Sequence, residues 1–583
     1  MDAGDPIDEL AAVGVEPGAM LALVLDGSTA AVATTGWSTC WQLDGATTVR
    51  RIDEVLGLRW VLWSQDTAAA LVADGVQLTR SWDVAAVHRL LFGGHRADPG
   101  HVWARLQGAP TADLPTAAPV DLFHSHDEGP SAPVRDDGHL SPEWIDGEWR
   151  TGPEQMSAWA AVLAEVGRLQ RAAVERLAVE EERPMALRTA FAESTAELLC
   201  AELAAEGLPM DRATMESVIG DHVGPRPRSD REATELRDAR DEQVLRHVPS
   251  GVRFDLRSPS QVRSMLRTVG VEVPDTRAWR LERLRDVHPL VDALLTWRKA
   301  ERVQTTFGYG WIDENLGDDG RFRGEWSGSD GAAGRMTASA GLHNMPTDLR
   351  RGVVAERGHV FVRADLGQIE PRVLAAVSGD RALAAATRAD DLYAPVADAL
   401  GVDRATAKVA VLGAMYGQTS GEGGRALVGL RSSYPVAMEY LDAADRAAQV
   451  GTDLRTYGGR LVRTRLPSLG PPTDPGSGDD RSGRSRAAAM GRFGRNAMVQ
   501  GAAAELFKVW AVTVRARGRE LDAHVVLCLH DELLVHVPAE SGDDAAAMVD
   551  DALQEAAARW APDREVRFLA DTSIISSWAD AKG

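Results

Sequence analysis

Helical periodicity dominates the middle of this chain, and on both sides of it short apolar runs alternate with helix candidates. Between residues 153 and 305, stretches such as EQMSAWAAVLAEVGRLQRAAVERL carry apolar residues at i, i+3, i+4 and i+7, which is the spacing of one helical face. Residues 19 to 107 and 306 to 583 instead mix strand-like apolar runs with helices, a pattern that indicates α/β units. With 583 residues, the chain is predicted to be a multidomain protein of the α/β class.

Composition and charge exclude several classes of protein. The chain is 44% hydrophobic and 26% charged, which is ordinary for a globular protein and unlike a disordered or fibrous one. No apolar run approaches the ~20 residues that a membrane helix needs, and the acidic start MDAGDPIDEL does not resemble a secretory signal. We therefore expect a cytoplasmic protein with no membrane association. The formal net charge of -22 argues against a broadly basic nucleic-acid binder, although an acidic protein can contain a local basic groove.

Two acidic residues stand where apolar strands end. The run VFVRADL carries Asp365 near its end, and HVVLCLHDELLVHVP consists of two apolar runs separated by His530, Asp531 and Glu532, which is the pattern of a hairpin with an acidic turn. Two carboxylates at neighbouring strand ends can hold a pair of Mg²⁺ ions for phosphoryl transfer. Each acid taken alone is more often a solvated turn residue, and the sequence does not show that the two meet.

The segment DRATAKVAVLGAMYGQ is predicted to form a helix. Asp403 can cap it, and Arg404, Lys408, Leu412 and Tyr416 then follow at four-residue spacing along one face. Two cations that lead to an aromatic side chain could bind the phosphates and the base of a nucleoside triphosphate. A helix with a solvated basic edge explains the same pattern.

An arginine-rich segment follows the low-complexity insert PSLGPPTDPGSGDD. No acid separates its arginines, and two amide side chains lie four residues apart at its end on a predicted helix. These residues are Arg481, Arg484, Arg486, Arg492, Arg495, Asn496 and Gln500. Arginines can position a phosphate backbone, and Asn or Gln can reach base edges or sugars. A charged loop on a solvated surface is the alternative.

Taken in order, these segments resemble the family A (DNA polymerase I) enzymes. RADLGQIEPRVLAAVSGD resembles the family's motif A, DRATAKVAVLGAMYG resembles motif B, and LHDELLVHVP resembles motif C. GRMTASAGLHNMP and GRFGRNAMVQGAAAELFK resemble segments that contact primer and template, and FDLRSPSQVRSMLRTVGVEVP with HPLVDALLTWRKAERVQTTF resembles the thumb. The resemblance extends from about residue 150 to the end of the chain.

The resemblance implies a right-hand polymerase of thumb, palm and fingers behind an RNase H-like exonuclease-type α/β domain. The implied parts are a vestigial 3′-to-5′ exonuclease-like domain at 1–107, a linker at 108–150, a helical thumb at 151–305, a first palm segment at 306–385, fingers at 386–450 and a second palm segment at 451–583. A working exonuclease needs an Asp-x-Glu strand and further acids. Only Asp83, with Asp26 a weaker candidate, is present, so we expect no proofreading.

The resemblance also implies roles for individual residues. Asp365 and Asp531 would bind two Mg²⁺ ions, with Glu532 and Lys408 as further catalytic residues, while a primer 3′-hydroxyl attacks a dNTP. The residues implied to bind the nucleotide are Arg404, Lys408, Leu412, Tyr416, Glu370, Gln368 and His530, with Glu370 excluding a 2′-hydroxyl and His530 supporting the primer end. The residues implied to bind primer–template DNA are Arg335, Asn344, Arg492, Asn496 and Gln500. With DNA and dNTPs as partners, we expect a monomer that associates with the nucleoid when it binds DNA.

Four residues depart from the family pattern. Leu366, Gly367 and Pro371 stand where motif A usually has Tyr, Ser and Leu. Leu412 stands where an aromatic side chain usually stacks on the incoming nucleotide. Such a stacking platform contributes about 1 to 3 kcal/mol per base, so the departure bears on nucleotide affinity.

The leading functional hypothesis is a template-directed DNA polymerase. The alternative is a catalytically weakened, polymerase-fold DNA-binding protein. The presence of Asp365, Lys408 and Asp531 favours the active enzyme. A phage-type RNA polymerase relative is disfavoured by Glu370 and Glu532.

Overall fold

The computed structural model of the protein divides into two compact units. It describes residues 5–42, 44–112, 114–116, 132–249, 253–417, 422–465, 480–562 and 565–581. The first unit comprises Met1–Glu206, Trp326–Thr337 and Val362–Ile574, and the second comprises Gly207–Glu325, Ala338–Phe361 and Ile575–Gly583. Part of the predicted linker (117–131) and nearly all of the predicted insert (467–479) lie outside the described residues.

The first unit begins with a five-stranded sheet and its flanking helices. Its strands are β1 (Met20–Asp26), β2 (Thr29–Thr34), β3 (Trp37–Trp41), β4 (Arg59–Leu62) and β5 (Arg80–Asp83), in the order β3-β2-β1-β4-β5. The helices are α1 (Pro6–Ala12), α2 (Gly45–Leu56), α3 (Gln65–Ala73), α4 (Val84–Phe92), α5 (Pro99–Leu106), α6 (Pro142–Ile145), α7 (Pro153–Glu180) and α8 (Ala186–Glu206). β1, β2 and β3 pair antiparallel, whereas β4 runs parallel to β1 and β5. This mixed sheet confirms the predicted N-terminal α/β unit.

Helix α7 covers one face of this sheet closely. Ala22 and Val24 of β1 belong to the same buried cluster as Trp159 and Leu163 of α7. A Cβ at Gly167 of α7 would lie only 2.9 Å from the Val61 side chain, so glycine permits the close approach. Helix α7 therefore packs with the N-terminal sheet, and α7 and α8 belong to the first compact unit, whereas the second compact unit begins at Gly207.

The second unit contains a helical region with its own apolar cluster. Its elements here are β6 (Leu208–Pro209), α9 (Arg212–Val223), α10 (Asp230–Leu245), α11 (Pro259–Thr268), α12 (Ala278–Glu282), α13 (Pro289–Thr306), α14 (Tyr309–Asn315) and β7 (Arg321–Phe322). Ser258 caps α11 by accepting from the Gln261 backbone N–H, which satisfies one of the free donors of the first turn. Val262, Leu266 and Leu294 lie in the buried cluster that joins α11 and α13.

The rest of the chain adds a second sheet and a set of helices. The elements are β8 (Trp326–Asp330), β9 (Arg335–Ala338), β10 (His359–Leu366), α15 (Ile369–Ser378), α16 (Arg381–Ala386), α17 (Tyr393–Leu400), α18 (Arg404–Tyr416), α19 (Glu422–Ser433), α20 (Pro435–Gln449), β11 (Leu454–Arg455), β12 (Leu461–Val462), α21 (Asp480–Gly518), β13 (His524–Leu529), β14 (Glu532–Pro538), α22 (Gly542–Trp560) and β15 (Ala570–Ile575). The second sheet has the order β13-β14-β10-β15.

The predicted strand before Asp365, the helix after Asp403 and the acidic hairpin are all confirmed. Among the described helices, none has the length and apolar character needed to cross a bilayer.

Candidate active site

Two adjacent strand ends bring the predicted acids together. Asp365 is the penultimate residue of β10, and Asp531 lies in the two-residue turn between β13 and β14. The Leu366 N–H donates to the Asp531 carbonyl at 2.9 Å, which ties the turn to the end of β10. His530 completes the turn with φ of 56°, a left-handed conformation that tight hairpin turns require. The backbone therefore holds both carboxylates at one edge of the sheet.

The electrostatics of these acids suit a cation. Burial raises the pKa of Asp365 to about 6, and the negative charge of Asp531 adds to the effect while Arg363 opposes it. Burial also raises the pKa of Asp531, with a further contribution from Glu370. Carboxylates crowded in a partly buried place repel each other, and a divalent cation relieves that repulsion. The oxygen donors of Asp365 and Asp531 thus fit a hard divalent metal ion.

Glu532, predicted as a further catalytic residue, is engaged by an arginine. Its carboxylate is buried and accepts from Arg363 Nε at 2.7 Å. The same guanidinium also donates to Asp365 and to Asp571. Arg363 and Asp571 were missed by the sequence reasoning, although an arginine inside an apolar strand, two residues before an acid, was an available signal.

The predicted cationic face of α18 is present, but its two cations differ. Asp403 caps the helix by accepting from the Thr406 N–H at 2.9 Å. Arg404 forms an ion pair with Asp391, so its charge is partly neutralised. Lys408 is exposed, and no ion pair to it is found among the described residues. Leu412 is partly buried against the apolar cluster of the surrounding helices.

Tyr416, at the end of α18, connects this helix to the acidic edge. Its hydroxyl donates to Glu370 Oε2 at 2.7 Å, and Arg335 Nη2 donates to the other oxygen of Glu370 at 3.2 Å. Tyr416 also shares a side-chain hydrogen bond with Gln500, and burial, followed by the bond to Glu370, raises the pKa of its hydroxyl to about 12. The phenol is therefore neutral and acts as a fixed donor to Glu370.

One face of α21 lies alongside the end of α18. Arg492, Asn496 and Gln500 are four residues apart on this helix and therefore share a face, with Arg492 exposed and the two amides partly buried. A Cβ at Gly417, whose φ is 68°, would lie 2.6 Å from Arg492 Cγ. Asn344 is exposed and belongs to the second compact unit, where its carbonyl accepts from Arg302.

Not every arginine of the basic segment is available to a ligand. Arg495 is buried, forms ion pairs with Asp442 and Asp445, and donates to the Ala414 carbonyl at 3.0 Å. It therefore joins α21 to α18 and α20, which corrects its interpretation as a phosphate contact. Arg484 and Arg486 are exposed, and the side chain of Arg481 lies outside the described residues.

The departures in motif A have local structural reasons. A Cβ at Gly367 would lie 2.6 Å from Leu569 Cδ1, so the usual serine would require the Leu569 side chain to shift. Pro371 lies in the first turn of α15, where its missing N–H leaves no helical bond unmade. Gln368 has φ of 55°, donates to Asp391 at 2.8 Å and accepts from the Leu392 N–H at 2.8 Å. It therefore orients Asp391, the partner of Arg404.

A sequence model described as DNA polymerase family A matches residues 229–580. This range is more than half of the chain and includes every residue of the site described above. The chain belongs to DNA polymerase family A. Family A DNA polymerases generally use divalent metal ions, in agreement with the donor set of Asp365 and Asp531.

Relatives of this family A chain include longer bacterial polymerases. DNA polymerase I of Chloroflexus aurantiacus is 31% identical over 304 residues, which cover 47% of this chain and 31% of that protein. Thermostable DNA polymerase I of Thermus caldophilus is 26% identical over 506 residues, which cover 80% of this chain and 56% of that protein. The chain therefore spans between 31 and 56% of the length of these relatives.

A solved structure extends the likeness in fold to the whole chain. The POL domain of Pol1 from M. smegmatis, in complex with DNA primer-template and dNTP, superposes with a TM-score of 0.68 at 19% identity. The match covers 100% of this chain and 99% of that one. The N-terminal unit, which the family model does not reach, thus shares the fold of a polymerase domain.

Proposed function

We propose that this family A chain is a template-directed DNA polymerase that adds dNTPs to a primer 3′ end and does not proofread. The observation that carries the proposal is the pair Asp365 and Asp531 on adjacent strand ends of one sheet. The two strand ends are linked by a hydrogen bond of 2.9 Å from the Leu366 N–H to the Asp531 carbonyl. Paired carboxylates of this kind are suited to phosphoryl transfer assisted by two metal ions. The proposed cofactor is Mg²⁺, held by oxygen ligands from the two aspartates.

The proposed mechanism assigns positioning and charge stabilisation to the protein. When bound, the metal ions would activate the primer hydroxyl and neutralise charge on the transferring phosphate. Asp365 and Asp531 would hold those ions, since the turn and the strand end fix both backbones. Lys408 is an exposed cation of α18 and would neutralise the leaving phosphates. Arg404 would contribute more weakly while it is paired with Asp391.

The DNA contacts are proposed on the face of α21. Arg492 would hold a backbone phosphate, while Asn496 and Gln500 would reach sugars or base edges. Arg335 and Asn344 are proposed as further contacts to primer and template. His530, exposed in the turn beside Asp531, is proposed to support the primer end.

Discrimination against ribonucleotides is proposed to depend on Glu370. Its two oxygens accept from Tyr416 and Arg335, so the carboxylate is held in a fixed position that is proposed to leave no room for an added 2′-hydroxyl. Replacing Glu370 with alanine should raise the rNTP-to-dNTP incorporation ratio by about ten-fold or more, since the loss of one unfavourable polar contact of ~1.4 kcal/mol gives that factor. Single-nucleotide incorporation with matched dCTP and rCTP measures the ratio. An unchanged ratio would assign the discrimination to another residue, with Tyr416 tested next.

The absence of proofreading is proposed from the N-terminal sheet. Asp83 is 2% exposed and caps α4 through the Ala86 N–H at 2.8 Å, while burial, followed by the nearby Glu197, raises its pKa. Asp26 is exposed at the end of β1 and pairs with Arg150. The residues of β1 that pack in the same buried cluster as α7 are Ala22 and Val24. These observations support a structural role for Asp83 rather than a metal-binding one.

A mismatched primer end should therefore stay intact. Incubation of a 3′-mismatched primer–template with the protein and Mg²⁺, without nucleotides, is expected to give no shortening above that of a buffer control. Shortening that disappears in an Asp83→Ala variant would contradict the proposal for this unit.

The central experiment is extension of a labelled primer on a template with Mg²⁺, comparing dNTPs with rNTPs. Template-dependent extension with dNTPs is the expected result. Binding of primer–template without extension, at any divalent metal concentration, would instead favour a polymerase-fold DNA-binding protein.

A further inference from the structure

A buried guanidinium lies inside the acidic site. Arg363 stands two residues before Asp365 on β10, so the two side chains project from the same face of the strand. Its Nε donates to Glu532 at 2.7 Å, Nη1 to Asp571 at 3.2 Å and Nη2 to Asp365 at 3.0 Å. These acids come from β14, β15 and β10, which are neighbours in the sheet. One arginine therefore joins carboxylates from three adjacent strands.

The position of Arg363 places it in competition with a metal ion. Its side chain is 8% exposed, so water screens its charge poorly. A divalent cation that binds Asp365 would be repelled by this fixed positive charge. One oxygen of the Asp365 carboxylate also already accepts a hydrogen bond from the guanidinium. Glu532 is held in the same way, whereas Asp531 is not among the bonded partners of Arg363 in the described structure.

We propose that Arg363 is a positioning residue that weakens divalent-cation binding to the nucleotide-free site by engaging Glu532 and one oxygen of Asp365. The inference rests on the metal site proposed above. A nucleoside triphosphate brings negative charge, which offsets the repulsion between the guanidinium and the cation. The site would therefore take up its cation together with the nucleotide more readily than alone.

Titration of the 583-residue chain with Mn²⁺, without DNA or nucleotide, tests this inference. The signal is the electron paramagnetic resonance of free Mn²⁺. Arg363→Gln removes the charge and retains a donor for Glu532, and we expect its dissociation constant for Mn²⁺ to fall by about ten-fold or more. Arg363→Lys keeps the charge, so its constant should stay within about three-fold of the wild-type value.

Two further variants separate the possible outcomes. Arg515 is a matched control because its side chain is 5% exposed and paired with Glu202, outside the acidic site; Arg515→Gln should leave Mn²⁺ affinity unchanged. Asp365→Asn should weaken Mn²⁺ binding. If it does so while Arg363→Gln binds no more tightly than wild type, the role of Arg363 is refuted and the metal site stands. If Asp365→Asn has no effect on Mn²⁺ affinity, the proposed metal site itself fails.

Folding of the variants is checked by circular dichroism before titration. Removing one member of a buried ion pair can destabilise a protein, whereas removing both charges is better tolerated. The comparison is therefore repeated in a Glu532→Gln background, with and without Arg363→Gln. The same ten-fold tightening of Mn²⁺ binding is expected there, and equal Mn²⁺ affinity with and without Arg363→Gln in that background would overturn the inference.

Discussion

Primer extension is expected to fall by at least about a thousand-fold when Asp365 or Asp531 is replaced by alanine, because a loss of ~4 kcal/mol of transition-state stabilisation corresponds to that factor. Both carboxylates lie at one sheet edge, and burial raises the pKa of each. Affinity for primer–template should stay within a few-fold of wild type, since phosphate contacts elsewhere dominate DNA binding. Single-turnover extension and a fluorescence binding assay measure the two quantities.

Asp544→Ala provides the matched control for these variants. Asp544 is an exposed aspartate on α22 of the same compact unit, and its loss should leave extension unchanged. Wild-type extension rates in either Asp365→Ala or Asp531→Ala would contradict the assignment of both acids as metal ligands. Loss of DNA affinity in parallel with extension would indicate a role in DNA binding instead.

Replacing Glu193 with alanine is expected to lower the free energy of unfolding by about 3 to 5 kcal/mol. The Glu193 carboxylate is 1% exposed and pairs with Lys508 at 2.6 Å and Arg460 at 2.5 Å, both also buried. Burial raises the pKa of Glu193, but the charges of Arg460 and Lys508 outweigh that effect and bring the pKa below its ordinary value. Without this carboxylate, the buried Arg460 and Lys508 would both lose their ion-pair partner. Guanidinium unfolding followed by tryptophan fluorescence measures the effect.

An exposed ion pair in the same unit gives the comparison. Glu175 pairs with Arg171 on α7 at 2.6 Å, and its side chain is 53% exposed. Its replacement by alanine should change the free energy of unfolding by less than about 0.5 kcal/mol, because exposed pairs contribute little. Equal changes in the free energy of unfolding for Glu193→Ala and Glu175→Ala would show that burial does not determine how much an ion pair contributes to stability.

The elements that carry the proposed chemistry were predictable because their signals are local. Asp403 precedes a helix and caps it within three residues, and the alternation around Asp531 encodes both strands and the turn. The match to the family model over residues 229–580 agrees with the motif resemblance. Strand ends, caps and turns depend on neighbouring residues, so a sequence pattern can specify them.

Pairings between distant segments could not be predicted in the same way. Arg404 begins the predicted helix, but its partner Asp391 lies in the loop before α17 and is oriented by Gln368. Arg495 belongs to a run of arginines that looks uniformly exposed, yet it is buried between Asp442 and Asp445. Which members of a charged run are buried depends on the packing of other helices, and that information is absent from the run itself.

The N-terminal sheet and the segment that leads into its last strand are hydrogen-bonded to two long helices, α21 and α8. Arg515 of α21 donates to the Leu78 carbonyl at 2.6 Å, and the Ser81 hydroxyl donates to the Ser194 carbonyl of α8 at 3.0 Å. The two acceptors are main-chain carbonyls, which Leu78 and Ser194 would offer whatever their side chains, whereas Ser81 donates through its own side chain. Selection on these packing contacts alone would preserve the sheet as a support for the helices while leaving its exposed side chains free to change.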